Sequence, residues 1–340
     1  MLTSTFGSRY GNASKQVNRL ATGFNSITSE PSSKQRINSV YFSGLDSSSD
    51  QFGVSFRPGV YKLLNVDISG TFTKAPEYFK QQFEDERNAS ILNTGRSLEY
   101  LQQPGKLHEL KLADAVADFL ATDNGMTLYW NKDRLTLEKW IPHLTPDSQV
   151  SKFKATMESA FNSTPEDIKE KVLQPVSQEF IKRFPNLSLF FKFKAGIKTK
   201  CTLSITDEHA AEFHKHFKQA LNDRLCSLKI KADILEEERQ AKDSSCIETK
   251  YTVAPGGYTK LSPIEFIMAT ICTQVKEVES YGNNLNDLEV VSRPHILEKS
   301  HSCHIIPGGS NAPSLRESLK DKNHIKLWET VQDFLHHLLR

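Results

Sequence analysis

Leu187-Ser-Leu189-Phe190-Phe191-Lys-Phe193 is followed, across a turn at Ala195-Gly196, by Cys201-Thr-Leu203-Ser-Ile205. Two short apolar runs joined by a glycine turn read as consecutive strands. Helical patterns flank them. Upstream, Thr164-Pro165-Glu166-Asp167 places a cap residue, a first-turn proline and early acids in sequence, and Pro175 kinks or divides the helix that follows. Downstream, the stretch from Asp207 to Arg239 is predicted to be helical, with Glu236-Glu237-Glu238 as a solvated face. Strands and helices in this order show no regular βα alternation. The fold class predicted is therefore α+β, with irregular mixed helices and a small, mostly antiparallel sheet.

Working outward, Val54-Ser-Phe56 and Val60-Tyr61-Lys-Leu63-Leu64-Asn-Val66 suggest strands around Arg57-Pro58-Gly59. Lys74 to Arg96 reads as helix plus loop. Leu107 to Leu120 carries an amphipathic helical period stopped by Asn124-Gly125, and Met126 to Trp130 reads as a strand. Ser262-Pro263-Ile-Glu265 forms a capping box that opens a helix running to Tyr281. Asn323 can cap a final helix whose stripe is Trp328, Val331, Leu335 and Leu338. Toward the other end, 12 of the first 50 residues are serine, and the apolar residues among them are isolated. Residues 1–50 therefore read as a flexible, disordered Ser-rich leader, and 51–340 as a single α+β domain that would divide, if at all, near 145–165.

The 340 residues carry a formal net charge of +2, with 38% hydrophobic and 25% charged residues. That balance argues against a nucleic-acid binder. No run is long and apolar enough for a membrane span, and the first residues lack the apolar core of a signal peptide. The five cysteines (Cys201, Cys226, Cys246, Cys272 and Cys303) are odd in number and without a C-x-x-C pair. This points to reduced thiols in a cytoplasmic compartment, or to delivery into another cell without a signal peptide.

Chemistry concentrates in Glu298-Lys-Ser-His301-Ser-Cys303-His304-Ile-Ile-Pro307-Gly308-Gly309. As a strand, it puts His301 and Cys303 on one face and Ser302 and His304 on the other. An imidazole beside a thiol favours the nucleophilic thiolate. The catalytic candidates are Cys303 or Cys246 as nucleophile with His301 as base, Cys246 preceding both His295 and His301 in the order that cysteine proteases use. The loop Ala254-Pro255-Gly256-Gly257-Tyr258-Thr259-Lys260-Leu-Ser262 offers Gly256, Gly257, Lys260 and Ser262 as an anion site at a helix N-terminus. Glu277 and Glu279, placed in the last turn of a helix, would point in different directions. His209, Glu212, His214 and His216 match no metal-ligand spacing and read as an exposed helix face.

These features predict a hydrolase or group transferase with Cys/His chemistry acting on a protein or phosphate-bearing substrate, in the manner of a secreted effector. A second reading is a non-catalytic protein that binds a protein partner through its leader and amphipathic helices. A third is a structural metal site, for which His301 and Cys303 would need two more ligands, with His295 and Cys272 nearest in sequence. No cofactor is implied.

Overall fold

The computed structural model describes residues 56–184, 189–193, 195–205, 210–240, 247–255, 260–283, 287, 300–305, 325–328 and 330–338. Strand β1 (Lys62–Val66) is buried from Leu63 onward. Helix α1 (Pro76–Glu84) begins on proline and buries Phe79 and Phe83. Strand β2 (Asn88–Asn93) is buried at every position. Two short helical turns, Leu98–Leu101 and Lys106–Glu109, lead to β3 (Phe119–Thr122) and β4 (Thr127–Trp130). A helical layer follows: α2 (Ser151–Phe161), a π-helical turn at Ile168–Leu173, and α3 (Gln174–Arg183). Next come β5 (Leu189–Lys192), β6 (Lys200–Ile205), α4 (Ala210–Ser227), β7 (Ala232–Gln240) and β8 (Ile247–Pro255). The chain continues through α5 (Leu261–Thr270), β9 (Glu277–Gly282), β10 (Ser300–Ile305), β11 (Ile325–Leu327) and α6 (Val331–Leu338).

These strands form two sheets. One has seven strands in the order β11-β10-β9-β1-β2-β3-β4, parallel throughout except between β3 and β4. The other has four, in the order β5-β6-β8-β7, and is antiparallel. The class is α+β, and the small antiparallel sheet expected from the hairpin is the four-stranded one. The seven-stranded sheet is buried on both faces, which is why β1 and β2 lack simple alternation. Leu63, Ala89, Ile91, Phe119 and Val278 face one apolar cluster, which continues through α2, α3, α4 and α5 onto Leu203, Ile205, Tyr251 and Val253 of the antiparallel sheet. Leu64, Val66, Leu92, Leu120 and Tyr281 face a second cluster, filled by Phe79 and Phe83 of α1 and Phe334 of α6.

Several sequence expectations hold. Thr164 caps its helix, with Thr164 and Asp167 forming a reciprocal box. Pro175 marks the junction between the π-helical turn and α3. Its missing N–H frees the Lys171 carbonyl, which instead accepts from Arg224 Nε at 2.8 Å. Others are corrected. The helix expected over 107–120 stops after Glu109. Lys111 turns left-handed at φ 60°, Leu112 N donates to Leu107 O at 2.7 Å, and Lys111 N donates to His108 O at 2.9 Å. This is a Schellman stop without glycine, and it frees Phe119 and Leu120 to enter the sheet.

The segment expected to be helical over 207–239 gives up its last part to β7, after Lys229 turns left-handed at φ 56°. Lys74–Arg96 contains a buried strand, β2, besides its helix. The helix opened at 262 ends at Thr270, and 277–282 is strand, with Val278 and Ser280–Gly282 buried. Ser262 is not its cap: Lys260 holds that position and Ser262 is buried inside the first turn. The last helix begins at Val331, capped by Thr330, whose Oγ1 accepts from Asp333 N at 3.0 Å while its own N donates to Asp333 Oδ2 at 3.1 Å. Asn323 and the leader lie outside the described residues.

Candidate active site at the carboxyl end of the parallel sheet

From β1 the chain moves through β2 to β3 on one side, then returns to place β9 on the other. The order of strands therefore reverses at β1, the position where open parallel sheets bind ligands beyond their carboxyl ends. Asp67 is the first residue beyond β1 there, and its N donates to Tyr281 O of β9 at 3.0 Å. A tight turn follows, in which Phe72 N donates to Asp67 O (3.0 Å) and Gly70 N to Thr73 Oγ1 (3.1 Å).

Asp67 is 5% exposed and does not stand alone. Lys260, capping α5, places Nζ between Asp67 Oδ1 and Asp287 Oδ1, the latter at 2.8 Å. All three groups are buried. Buried charges are tolerated only when paired and hydrogen-bonded, and here one ammonium serves two carboxylates. Asp287 Oδ2 also accepts from Asn283 N at 2.9 Å. Gly282 lets Asp287 approach, since a Cβ there would lie 2.3–2.7 Å from its side chain. Gly70, at φ +84°, does the same for Asn283, whose Nδ2 donates to Ser69 O at 2.8 Å.

Asn93, ending β2, ties the site to the sheet. Its Nδ2 donates to Lys260 O at 2.6 Å and to Asn65 Oδ1 at 3.1 Å. Asn65 Nδ2 in turn donates to Ser280 Oγ at 3.3 Å.

Three buried polar atoms at this place have no hydrogen-bond partner among the described residues: Asp67 Oδ2, Thr71 Oγ1 and Asn93 Oδ1. Leaving one such atom unpaired costs about 1–3 kcal/mol. Two of these atoms follow β1 and the third ends the neighbouring β2, so unsatisfied polar groups gather at the carboxyl ends of two adjacent strands, and buried groups of this kind call for an explanation. Burial raises the Asp67 carboxyl to about 6; Lys260 opposes the rise and the Asp287 carboxylate adds to it. For Lys260, burial disfavours the charge, but Asp287 and Asp67 outweigh it and hold the ammonium above its ordinary range.

Of the residues singled out in the sequence, Lys260 belongs to this site, with its charge already taken up by two carboxylates. Ser262 is buried one turn further along. His301 and Cys303 lie on β10, opposite Val278 and Ser280 of β9, two strands from β1. Cys246, His295, Gly256 and Gly257 lie outside the described residues. Among the described residues no group of three or more His, Cys, Asp and Glu side chains is placed to hold a metal, and no helix is long and apolar enough to cross a membrane.

Glu277 and Glu279 share one strand face instead of diverging on a helix, and Lys62 Nζ meets them at 3.9 and 3.0 Å. His304 is buried, meets Glu279 at 3.0 Å and stacks on Tyr281. His214 is buried against Tyr251 Oη (2.8 Å), while Glu212 and His216 remain on the exposed face, 3.6 Å apart. Asp67, Thr71, Asn93 and Asp287 went unmarked in the sequence. The signal for Asp67 is an acid directly after the apolar run Leu63–Val66 and before Ser69-Gly70-Thr71.

No protein-family model matches the sequence, and no curated protein matches it. Among solved structures, two crystal forms of trehalose-6-phosphate phosphatase from Aspergillus fumigatus align with the chain at 15% identity. One covers 87% of this chain and 97% of its own, with a TM-score of 0.42. The other covers 87% and 96%, with a TM-score of 0.46. Likenesses at this level carry no argument about activity, which has to come from the site itself.

Proposed function

We propose that this chain is a phosphomonoester hydrolase with Asp67 as its nucleophile. The observation that supports this reading is the division of labour within one carboxylate: Oδ1 is held by Lys260, while the buried Oδ2 has no protein partner among the described residues. A carboxylate oxygen fixed in this way can attack phosphorus to form an acyl phosphate, which water then hydrolyses. Lys260 and the amino end of α5 supply positive potential beside the incoming phosphoryl group. The Thr71 hydroxyl donates to a phosphoryl oxygen, and Asn93 Oδ1 accepts from the attacking water. This reading takes Lys260 from the anion loop expected in the sequence and leaves His301 and Cys303 without a part.

The test is phosphate release from p-nitrophenyl phosphate in magnesium-containing buffer, for the wild type and for Asp67→Asn. Loss of at least about 10³-fold in kcat/KM, together with loss of a hydroxylamine-labile phosphoprotein, is expected of the variant. Retention of activity by a folded Asp67→Asn protein would overturn the assignment.

A further inference from the structure

Three described aspartates stand at the carboxyl edge of the seven-stranded sheet: Asp67, Asp123 and Asp287. Two of them hold Lys260. Asp123, the first residue after β3, does not, although it is 3% exposed. Thr122 Oγ1 donates to its Oδ2 at 3.0 Å, and its Oδ1 is buried with no hydrogen-bond partner among the described residues. Its backbone is held in an unusual shape. Asp123 at φ 55° and Asn124 at φ 59° are consecutive non-glycine residues in the left-handed region, where aspartate and asparagine are tolerated singly.

Such strain persists only where the surroundings impose it, and here they do. Asp123 N donates to Arg96 O (2.9 Å) and Asn124 N to Thr94 O (3.1 Å), tying the turn to the end of β2. Asn124 Nδ2 donates to Thr199 Oγ1 of the β5–β6 connection at 2.9 Å, and α5, capped by Lys260, packs against the same turn. Strands β1, β2 and β3 are neighbours. Asp67 and Asp123 thus follow strands two spacings apart, about 10 Å across the sheet from backbone to backbone, a gap of the size that two side chains and a phosphoryl group span.

The β5–β6 connection covers this edge through polar contacts. Ser97 N donates to Gly196 O (2.6 Å), Arg96 Nη1 to Ala195 O (2.8 Å), and Lys198 pairs with Glu99 (2.8 Å) and Glu166.

We propose that Asp123 is the acid–base residue of the hydrolysis, which rests on the reading of Asp67 as nucleophile. As the Asp67 Oδ2–phosphorus bond forms and the ester P–O bond breaks, the leaving oxygen takes the proton from Asp123 Oδ1 and departs as an alcohol. The Asp123 carboxylate then accepts a proton from the water that attacks the acyl phosphate. Inorganic phosphate leaves, and Asp67 is restored as a carboxylate. The charged and titratable groups around Asp123 are Lys198, Glu166, Glu99 and Tyr129. Burial, reinforced by the two glutamates and opposed by Lys198, raises its carboxyl to about 7, so both protonation states are populated where each is needed.

The experiment compares an alkyl phosphate, β-glycerophosphate, whose alkoxide must be protonated to leave, with p-nitrophenyl phosphate, whose phenolate leaves unaided. Asp123→Asn keeps the side-chain shape and tolerates left-handed backbone. It is expected to lose about 10²-fold or more in kcat/KM on the alkyl ester and less than about tenfold on the aryl ester. In the wild type, kcat/KM for the alkyl ester should fall as pH rises through about 7, while that for the aryl ester should not; this arm holds even if the variant fails to fold. Equal losses on both esters, or identical pH profiles, overturn the role of Asp123 while hydrolysis abolished by Asp67→Asn leaves the nucleophile standing. A wild type that hydrolyses neither ester overturns both.

Discussion

Lys260→Met removes a charge and little volume from the centre of the site, so its effect on stability isolates the electrostatics of the buried triad. At pH 7.5 the change leaves Asp67 and Asp287, both about 95% buried, without their shared counter-ion. Breaking a buried ion pair by removing one partner typically costs about 3–5 kcal/mol. The acidity of Asp67 gives this cost a pH dependence. Its folded-state value of about 6 lies above the 3.8 of a free carboxyl. The folded state therefore takes up a proton that the unfolded chain releases between pH 6 and 4. This contribution to stability is present below pH 4 and lost as pH rises through 6, to a total of about 3 kcal/mol.

Without Lys260, which pulls the Asp67 value down, the proton is held still more tightly. A neutral Asp67 no longer needs the lysine. The destabilisation by Lys260→Met should thus be about 3–5 kcal/mol at pH 7.5 and smaller at pH 5, where Asp67 no longer contributes to it. Urea unfolding of wild type and variant at both pH values, followed by far-UV circular dichroism, measures the difference. A cost that is the same at pH 7.5 and pH 5, or larger at pH 5, would refute the reasoning.

Two further outcomes concern groups outside the triad. Burial lowers the His214 imidazole to about 4, with Glu236 opposing; this group favours folding above pH 6.5 and loses that contribution, about 3 kcal/mol, as pH falls from 6.5 to 4. His214→Gln retains a hydrogen-bonding side chain beside Tyr251 and should remove about one proton from the slope of unfolding free energy against pH in that window, as read by urea titrations; an unchanged slope would locate the effect elsewhere. For Glu279, burial works against the charge, but hydrogen bonds from His304 and Lys62 outweigh it and bring its carboxyl to about 2. Its stabilisation is present above pH 4.5 and lost as pH falls through 2, so Glu279→Gln should cost about 2–3 kcal/mol at pH 7 and almost nothing at pH 2 by the same assay.

What could be read from the sequence was local. The β5–β6 hairpin and the Thr164-Pro165 helix start are encoded within a few residues, and both stand as expected. The end of the Lys106–Glu109 turn was not legible, because the residue that turns left-handed is Lys111, with no glycine to announce it. The parallel sheet was not legible either. Lys62 pairs with Asn88 on one side and Glu277 on the other, and nothing short-range in β1 names those partners. The same holds for the site. Lys260 is conspicuous in the sequence beside a helix start, whereas its partners Asp67 and Asp287 lie 193 and 27 residues away. A buried acid becomes conspicuous only when its distant counter-ion is in view.

The 193-residue separation of Asp67 from Lys260 also orders events at the ribosome. At 5–20 residues per second, Asp67 is synthesised about 10–40 s before Lys260. Until then its carboxylate lacks the lysine that accompanies it in the interior of the folded chain. Closing so long a loop is entropically expensive, and Asn93 bridges β1 and the start of α5 only once both are in place. Asp67 is therefore the first residue of the triad to be made, and its pairing is complete only after Lys260 and Asp287 have followed. A nascent chain cannot complete the buried triad before Asp287 has been translated.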